Sequence, residues 1–145
     1  MREPSESLAY LIRTVHHALR TRLEDVLHPH GLTLPQLAVL SALEQTPGLS
    51  NAELARAAFV SPQAMNQSLS ALERSRLVKR TPDSINARVL RTALTPTGVR
   101  KLFQVGRAVD RVEMAIRRAL TSREQRMMRD LLARTATALA GGHRR

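Results

Sequence analysis

The chain has 145 residues, of which 43% are hydrophobic, with a formal net charge of +11 and no cysteine. That length and hydrophobic share are enough for one domain with a real core and argue against general disorder. The lack of cysteine removes disulfides, thiolate zinc sites and thiol redox chemistry.

Tyr10, Phe59 and Phe103 are the only aromatic residues, so the core must be aliphatic. The positive charge favours a polyanion, and nucleic acid is the commonest. An arginine-rich composition with ordinary solvated faces gives the same total: of the 23 basic residues only Lys79 and Lys101 are not arginine. No apolar run approaches the roughly 20 residues of a membrane span. The opening "MREPSESLAYLI" has a proline and two glutamates where a signal peptide has a basic start and an apolar block. The expectation is a cytoplasmic chain without a membrane partner.

Helical periodicity dominates. Leu8, Leu11, Ile12, Val15, Leu19, Leu23, Val26 and Leu27 recur at spacings of three and four and predict a long first helix, stopped at "HPHG" by Pro29 and Gly31. In "TLPQLAVLSALEQ", Thr33 and Gln36 have capping-box spacing, and Leu34, Leu37, Leu40 and Leu43 form the stripe. After "TPG", Ser50 and Glu53 form a second box ahead of the short "NAELARAAF". A helix from Pro62 to about Ser75 follows, capped by Ser61, with Met65, Leu69 and Leu72 on one buried face. Gln63, Asn66, Gln67, Ser70 and Arg74 fall largely elsewhere on its wheel.

From Leu77 the pattern shortens and alternates. "LVKRT" and "RVLRTAL", separated by "PDSINA", predict a β-hairpin with a longer loop. Thr95-Pro96 starts a further helix, with Val99, Leu102, Phe103, Val109, Val112 and Ile116 as its stripe. Thr121 and Glu124 open the last one, through Met128, Leu131, Leu132 and Leu139, before a frayed "GGHRR" tail.

Helix, short turn, helix and hairpin in that order read as a helix-turn-helix followed by a wing. The second helix of such a pair lies in the DNA major groove with its N-terminal residues at base edges. Gln and Asn pair bidentately with adenine, and Ser reaches base or phosphate, so Ser61, Gln63, Asn66, Gln67 and Ser70 suit that surface. Helix-start N–H groups hold phosphate. Arg74, Lys79, Arg80, Arg88 and Arg91 supply long basic arms for phosphate and the minor groove.

The chain resembles the MarR (multiple-antibiotic-resistance) family of winged helix-turn-helix regulators, over nearly its whole length. The resemblance is carried by "LTLPQLAVLSAL", by "LSNAELARAAFVSPQAMNQSLSALERSRLVKR", and by "RTPDSINARVLRTALTPTG" with its "LT..G" ending. It implies a mainly α fold with a small β-hairpin wing, 33–96 as the DNA-binding part, and dimerisation helices in 5–29 and 97–140. It further implies a homodimer on a pseudo-palindrome, and a small aromatic or anionic effector that weakens DNA binding. By position, Ser61, Gln63, Asn66 and Gln67 match the recognition-helix contacts and Arg88 a wing arginine. Two departures stand out. The wing tip is Asn86-Ala87-Arg88 where the family favours an Asp-Arg-Arg-like sequence, and Arg76 stands where it favours glycine.

Other chemistry has little support. His16, His17, His28 and His30 lack a metal-ligand spacing and read as polar residues near a helix end. There is no Gly-rich phosphate loop, no G-x-S-x-G and no Cys nucleophile. Asp110 and Glu113, among Arg107, Arg111 and Arg117, read as surface ion pairs. Neither an enzyme nor a cofactor is expected. The competing readings are a nonspecific architectural DNA binder and a module that docks an acidic protein.

Overall fold

The computed structural model describes residues 7–141. The ends of two expected segments, residues 5–6 of the first helix and 142–145 of the tail, lie outside them. The chain divides into two compact units, residues 1–109 and 110–145.

The first unit follows the chain order read from the sequence. Helix α1 (Leu8–Leu27) runs into a 3-10 turn (His28–His30), closed by Gly31 at φ +67°. Helix α2 (Leu34–Gln45) begins with the Thr33–Gln36 capping box. Strand β1 (Leu49–Ser50) precedes α3 (Asn51–Ala57), whose box pairs Ser50 with Glu53. Helix α4 (Pro62–Arg74) starts at Ser61, whose Oγ accepts the Ala64 N–H at 3.1 Å. Strands β2 (Val78–Pro82) and β3 (Leu90–Leu94) form an antiparallel hairpin, and α5 (Pro96–Arg118) begins after it. The fold is mainly α with a small β wing.

The sheet has three strands, not the hairpin alone. β1 adds to the free edge of β3, with Leu49 opposite Thr92, so the order is β1-β3-β2. A two-residue strand has no alternation to read; pairing across some forty residues of chain creates it.

The core gathers Leu27, Val39, Leu40, Leu43, Leu54, Met65, Leu69, Leu72, Val78, Leu102 and Val105, all buried. It is aliphatic throughout, as the composition requires. Two stripes are only partly covered within the chain. On α1 only Leu27 is buried, and Leu8, Leu11, Ile12 and Val15 stay exposed. On α5 the buried line is Leu102, Val105, Ala108 and Val112, whereas Val99 and Phe103 are exposed. At 3.6 residues per turn, Phe103 lies about 100° around the helix from Leu102, outside that line.

Both ends of α4 are reached through left-handed residues other than glycine. Phe59 (φ 55°) and Arg76 (φ 58°) each follow a helix end closed by paired backbone bonds. The Val60 N–H donates to Ala55 O and the Phe59 N–H to Arg56 O; the Leu77 N–H donates to Leu72 O and the Arg76 N–H to Glu73 O. These are Schellman closures, which usually employ glycine at the left-handed position.

The "LT..G" sequence has a clear physical role. Thr95 Oγ accepts the Gly98 N–H at 3.0 Å, and the Thr95 N–H donates to Leu77 O at 3.0 Å. This brings the start of α5 onto the Leu77 carbonyl so closely that a Cβ at position 98 would overlap its oxygen.

In the second unit, the C-terminal part of α5 is followed by α6 (Ser122–Gly141), opened by a Thr121–Glu124 capping box. Its Met127, Leu131, Leu132 and Leu139 are exposed. Arg117 pairs with Glu113 at 3.2 Å, the surface ion pair read from the spacing.

Gly98→Ala is expected to cost about 1–3 kcal/mol through this backbone overlap. Leu69→Ala is expected to cost about 2–5 kcal/mol through the cavity it leaves. Denaturant unfolding of each variant against the parent checks both.

Candidate nucleic-acid interface

Met65, Leu69 and Leu72 turn one face of α4 into the core, each no more than 1% exposed. The remaining faces carry the residues singled out from the sequence. Ser61, Gln63, Asn66, Gln67 and Arg74 are exposed, and Ser70 is half-buried. The helix is tied to its predecessor as well: Asn51 Nδ2 donates to Pro62 O at 3.2 Å, joining the start of α3 to the start of α4.

The amides of Gln63 and Gln67 make no side-chain hydrogen bond among the described residues; that of Asn66 does. Arg80, on β2, donates from Nη1 to Asn66 Oδ1 at 3.2 Å. Its Nε and Nη2 both donate to Glu73 Oε2, at 3.0 and 2.7 Å. Arg80 is only 16% exposed at its side chain, against 41% for Glu73. Strand alternation places it there: Val78 is buried in the core, Lys79 faces solvent, and Arg80 returns toward α4.

The wing loop, residues 83–89, is organised by Asp83. Its Oδ2 accepts the Asn86 N–H at 3.3 Å, and its own N–H donates to Val89 O at 2.8 Å. Asn86 Oδ1 in turn accepts the Arg88 N–H at 3.2 Å. Arg91 reaches Asp83 Oδ1, Glu53 Oε2 and Gly48 O, each at 3.4 Å. These are long for N–H···O bonds, whose usual range ends near 3.2 Å. The wing therefore has an acid-arginine brace even though its tip lacks the family's aspartate: the acid is Asp83, three residues before Asn86.

Two carboxyls in this region are held below their ordinary values. At Asp83 the Asn86 N–H does most of this, with Arg91 adding to it. At Glu53 the N–H and hydroxyl of Ser50 do so, with smaller help from Arg91 and Arg56.

The ten expected contact residues thus separate by environment. Among the described residues, Gln63, Gln67, Arg74, Lys79 and Arg88 present unshared polar ends to solvent, Arg88 in no ion pair; Ser61 is exposed, but its Oγ already accepts the Ala64 N–H. Asn66 is exposed but held by its neighbour. Ser70 is half-buried, while Arg80 and Arg91 face carboxylates of this chain. Glu73, Asp83 and Asn51, which do the holding, were not anticipated. Their partners lie seven, eight and eleven residues away, beyond any helix or turn spacing.

The amide-bearing helix and basic wing on this fold have close parallels. A family model described as MarR family matches residues 30–88. The HTH-type transcriptional repressor Rv2887 of Mycobacterium tuberculosis (strain ATCC 25618 / H37Rv) is 42% identical over 126 residues, 86% of this chain and 90% of that protein. The chain belongs to the MarR family. The solved structure of M. tuberculosis Rv2887 in complex with DNA matches at a TM-score of 0.74 and 36% identity, covering 89% of this chain and 97% of that one. Its complex with p-aminosalicylic acid matches at 0.73 and 36%, covering 90% and 98%. Family membership makes the chain a transcription regulator by class.

The depressed aspartate gives the wing a defined pH response. A carboxyl whose folded pKa lies below its unfolded value stabilises the fold above the unfolded value and ceases to as the pH falls through the folded one. Asp83 should therefore contribute fully at neutral pH and lose its contribution only below its ordinary 3.8. Asp83→Asn is expected to melt below the parent at pH 7, with the gap closing as both are acidified past that value. Thermal melts across a pH series measure it.

Proposed function

We infer that this chain is a sequence-specific transcriptional repressor that binds double-stranded DNA as a homodimer and is released by a small aromatic or anionic effector. The observation that carries the reading is the exposed amide row at the start of α4, fixed outward by the buried face behind it and flanked by a basic wing. The kinship with a repressor whose structures include DNA, salicylic acid and p-aminosalicylic acid supports it.

Residues 33–96 form the DNA-binding part. Gln63, Asn66 and Gln67 read base edges, while Ser61 and the α4 N-terminus take a phosphate. Ser70 and Arg74 continue the helix surface; Lys79 and Arg88 reach the backbone or minor groove from the wing. Arg80 and Arg91 act from the positions in which their carboxylate partners hold them.

Residues 5–29 and 97–140 form the dimerisation helices. Each unit leaves apolar side chains uncovered: Leu8, Leu11, Ile12 and Val15 on α1 of the first, Leu131, Leu132 and Leu139 on α6 of the second. Such faces are rare on stable monomers, and a second copy related by a twofold axis covers them. Two copies place their recognition helices about one helical turn of DNA apart. The site of action is the cytoplasm, in keeping with the lack, among the described residues, of any helix long and apolar enough to cross a membrane.

Selection of duplexes from a random pool, followed by competition against random DNA, tests the reading. Gln67→Ala is expected to lower the preference for the selected duplex by about 1–3 kcal/mol. Arg88→Ala should weaken specific and random duplexes alike and reduce the salt slope by about one. Equal losses on both duplexes for Gln67→Ala would remove it from base reading. For the dimer, Leu139→Asp is expected to shift sedimentation toward the monomer and to weaken operator binding; an unchanged dimer would place the interface elsewhere.

A further inference from the structure

We propose that Arg80 is a positioning residue that sets which base Asn66 accepts; this rests on the regulator reading above. Of the three amides along α4, Asn66 alone is held by another side chain of the protein among the described residues. The contact is Arg80 Nη1–H to Asn66 Oδ1 at 3.2 Å.

The chemistry of the partner decides the orientation. A guanidinium has five N–H donors and no acceptor. The end of the amide that faces Arg80 must therefore be the oxygen, and the reversed rotamer would set N–H against N–H. Nδ2 is left at the outer end of the amide, without a hydrogen-bond partner among the described residues, on an exposed residue. Glu73, two helical turns beyond Asn66 on α4, holds the rest of the guanidinium through Nε and Nη2 at 3.0 and 2.7 Å. The pair nearly cancels the charge of Arg80, and its side chain is only 16% exposed. Arg80 is poorly placed for a phosphate and well placed to lock its neighbour.

An unrestrained asparagine presents either end and suits adenine through both. With its oxygen engaged and its plane fixed, Asn66 offers chiefly two N–H donors. In the major groove the complementary edges are purine N7, guanine O6 and thymine O4; the N4 amino group of cytosine is a donor and is rejected. Arg80 thus edits the reading of the helix without itself touching DNA.

The test uses the full-length protein and the duplex it selects from a random pool, with every base pair substituted in turn and salt varied. The double variant Glu73→Gln/Arg80→Met removes the lock without altering net charge. It is expected to lose about threefold to tenfold of the discrimination against cytosine at one symmetry-related pair of positions, the worth of one hydrogen bond. Other positions and the salt slope should be unchanged, and in an Asn66→Ala background the double variant should have no further effect on base preference. Should the double variant fail to fold, Arg80→Gln reads the same quantity, because a glutamine amide can present an acceptor to Asn66 and frees its rotamer. Uniform weakening with a salt slope lower by about one would make Arg80 a phosphate anchor and overturn the proposal. A variant that keeps the whole base profile would overturn it too. A wild-type protein that selects no sequence would defeat the regulator reading itself, which separates the two failures.

Discussion

The outward face of α4 is set by its inward one. Burying Met65, Leu69 and Leu72 fixes the rotation of the helix about its axis, since each contributes about 1.5–3 kcal/mol by leaving water. Turning the helix by a single residue, about 100°, would expose part of that face and push amides into an aliphatic core with nothing to hydrogen-bond them. The two Schellman closures, the Ser61 cap and the Asn51–Pro62 bond then fix where the helix starts and stops. Any base reading by Gln63, Asn66 and Gln67 depends on this hydrophobic constraint, because an amide that wanders by an ångström or two loses the geometry of a bidentate bond.

Charge is distributed less simply than the total of +11 suggests. Surface ion pairs are individually worth about 0–1 kcal/mol, so the Arg91 contacts at 3.4 Å add little stability. Their effect is geometric. They tie the wing loop through Asp83 to β3 and, through Glu53, to the capping box of α3, giving one side chain three anchors on different elements. The Arg80–Glu73 pair is shorter and better shielded, and it joins β2 to α4. Arginines braced in this way shape the surface between α4 and the wing; those outside such pairs among the described residues, Arg74 and Arg88 among them, leave their charge free to add to the positive field around the chain.

Much of this was legible because its causes are local. The capping boxes at Thr33, Ser50 and Thr121 are three-residue patterns, and each forms as its spacing dictates. The buried face of α4 and the hairpin follow from periods of 3.6 and 2, which need no knowledge of neighbours. The "LT..G" motif was visible as a resemblance, but its reason, the approach of the α5 start to the Leu77 carbonyl, required a contact across some twenty residues. β1 exists only because β3 has a free edge for it. Asp83 standing in for the missing tip aspartate was hidden by a shift of three positions. Periodicity showed that the outer stripes of α1 and α5 are apolar, but it does not report which of their residues the same chain covers.

The left-handed residues bracketing α4 show tertiary demand overriding local preference. An L-residue in that conformation costs roughly 1–2 kcal/mol, which glycine would avoid. At Arg76 the departure from the family's glycine was visible in the sequence, and the backbone still adopts φ 58°. It does so because Leu77 must turn back to place its N–H on Leu72 O and its carbonyl under Thr95, at the junction where α4, β2 and α5 meet. Phe59 performs the matching turn before Ser61, with the residue 96% exposed and so gaining almost nothing from burial there. Strain at these two points accompanies a helix gripped at both ends, and that grip holds the amide row at a fixed height and angle to the wing.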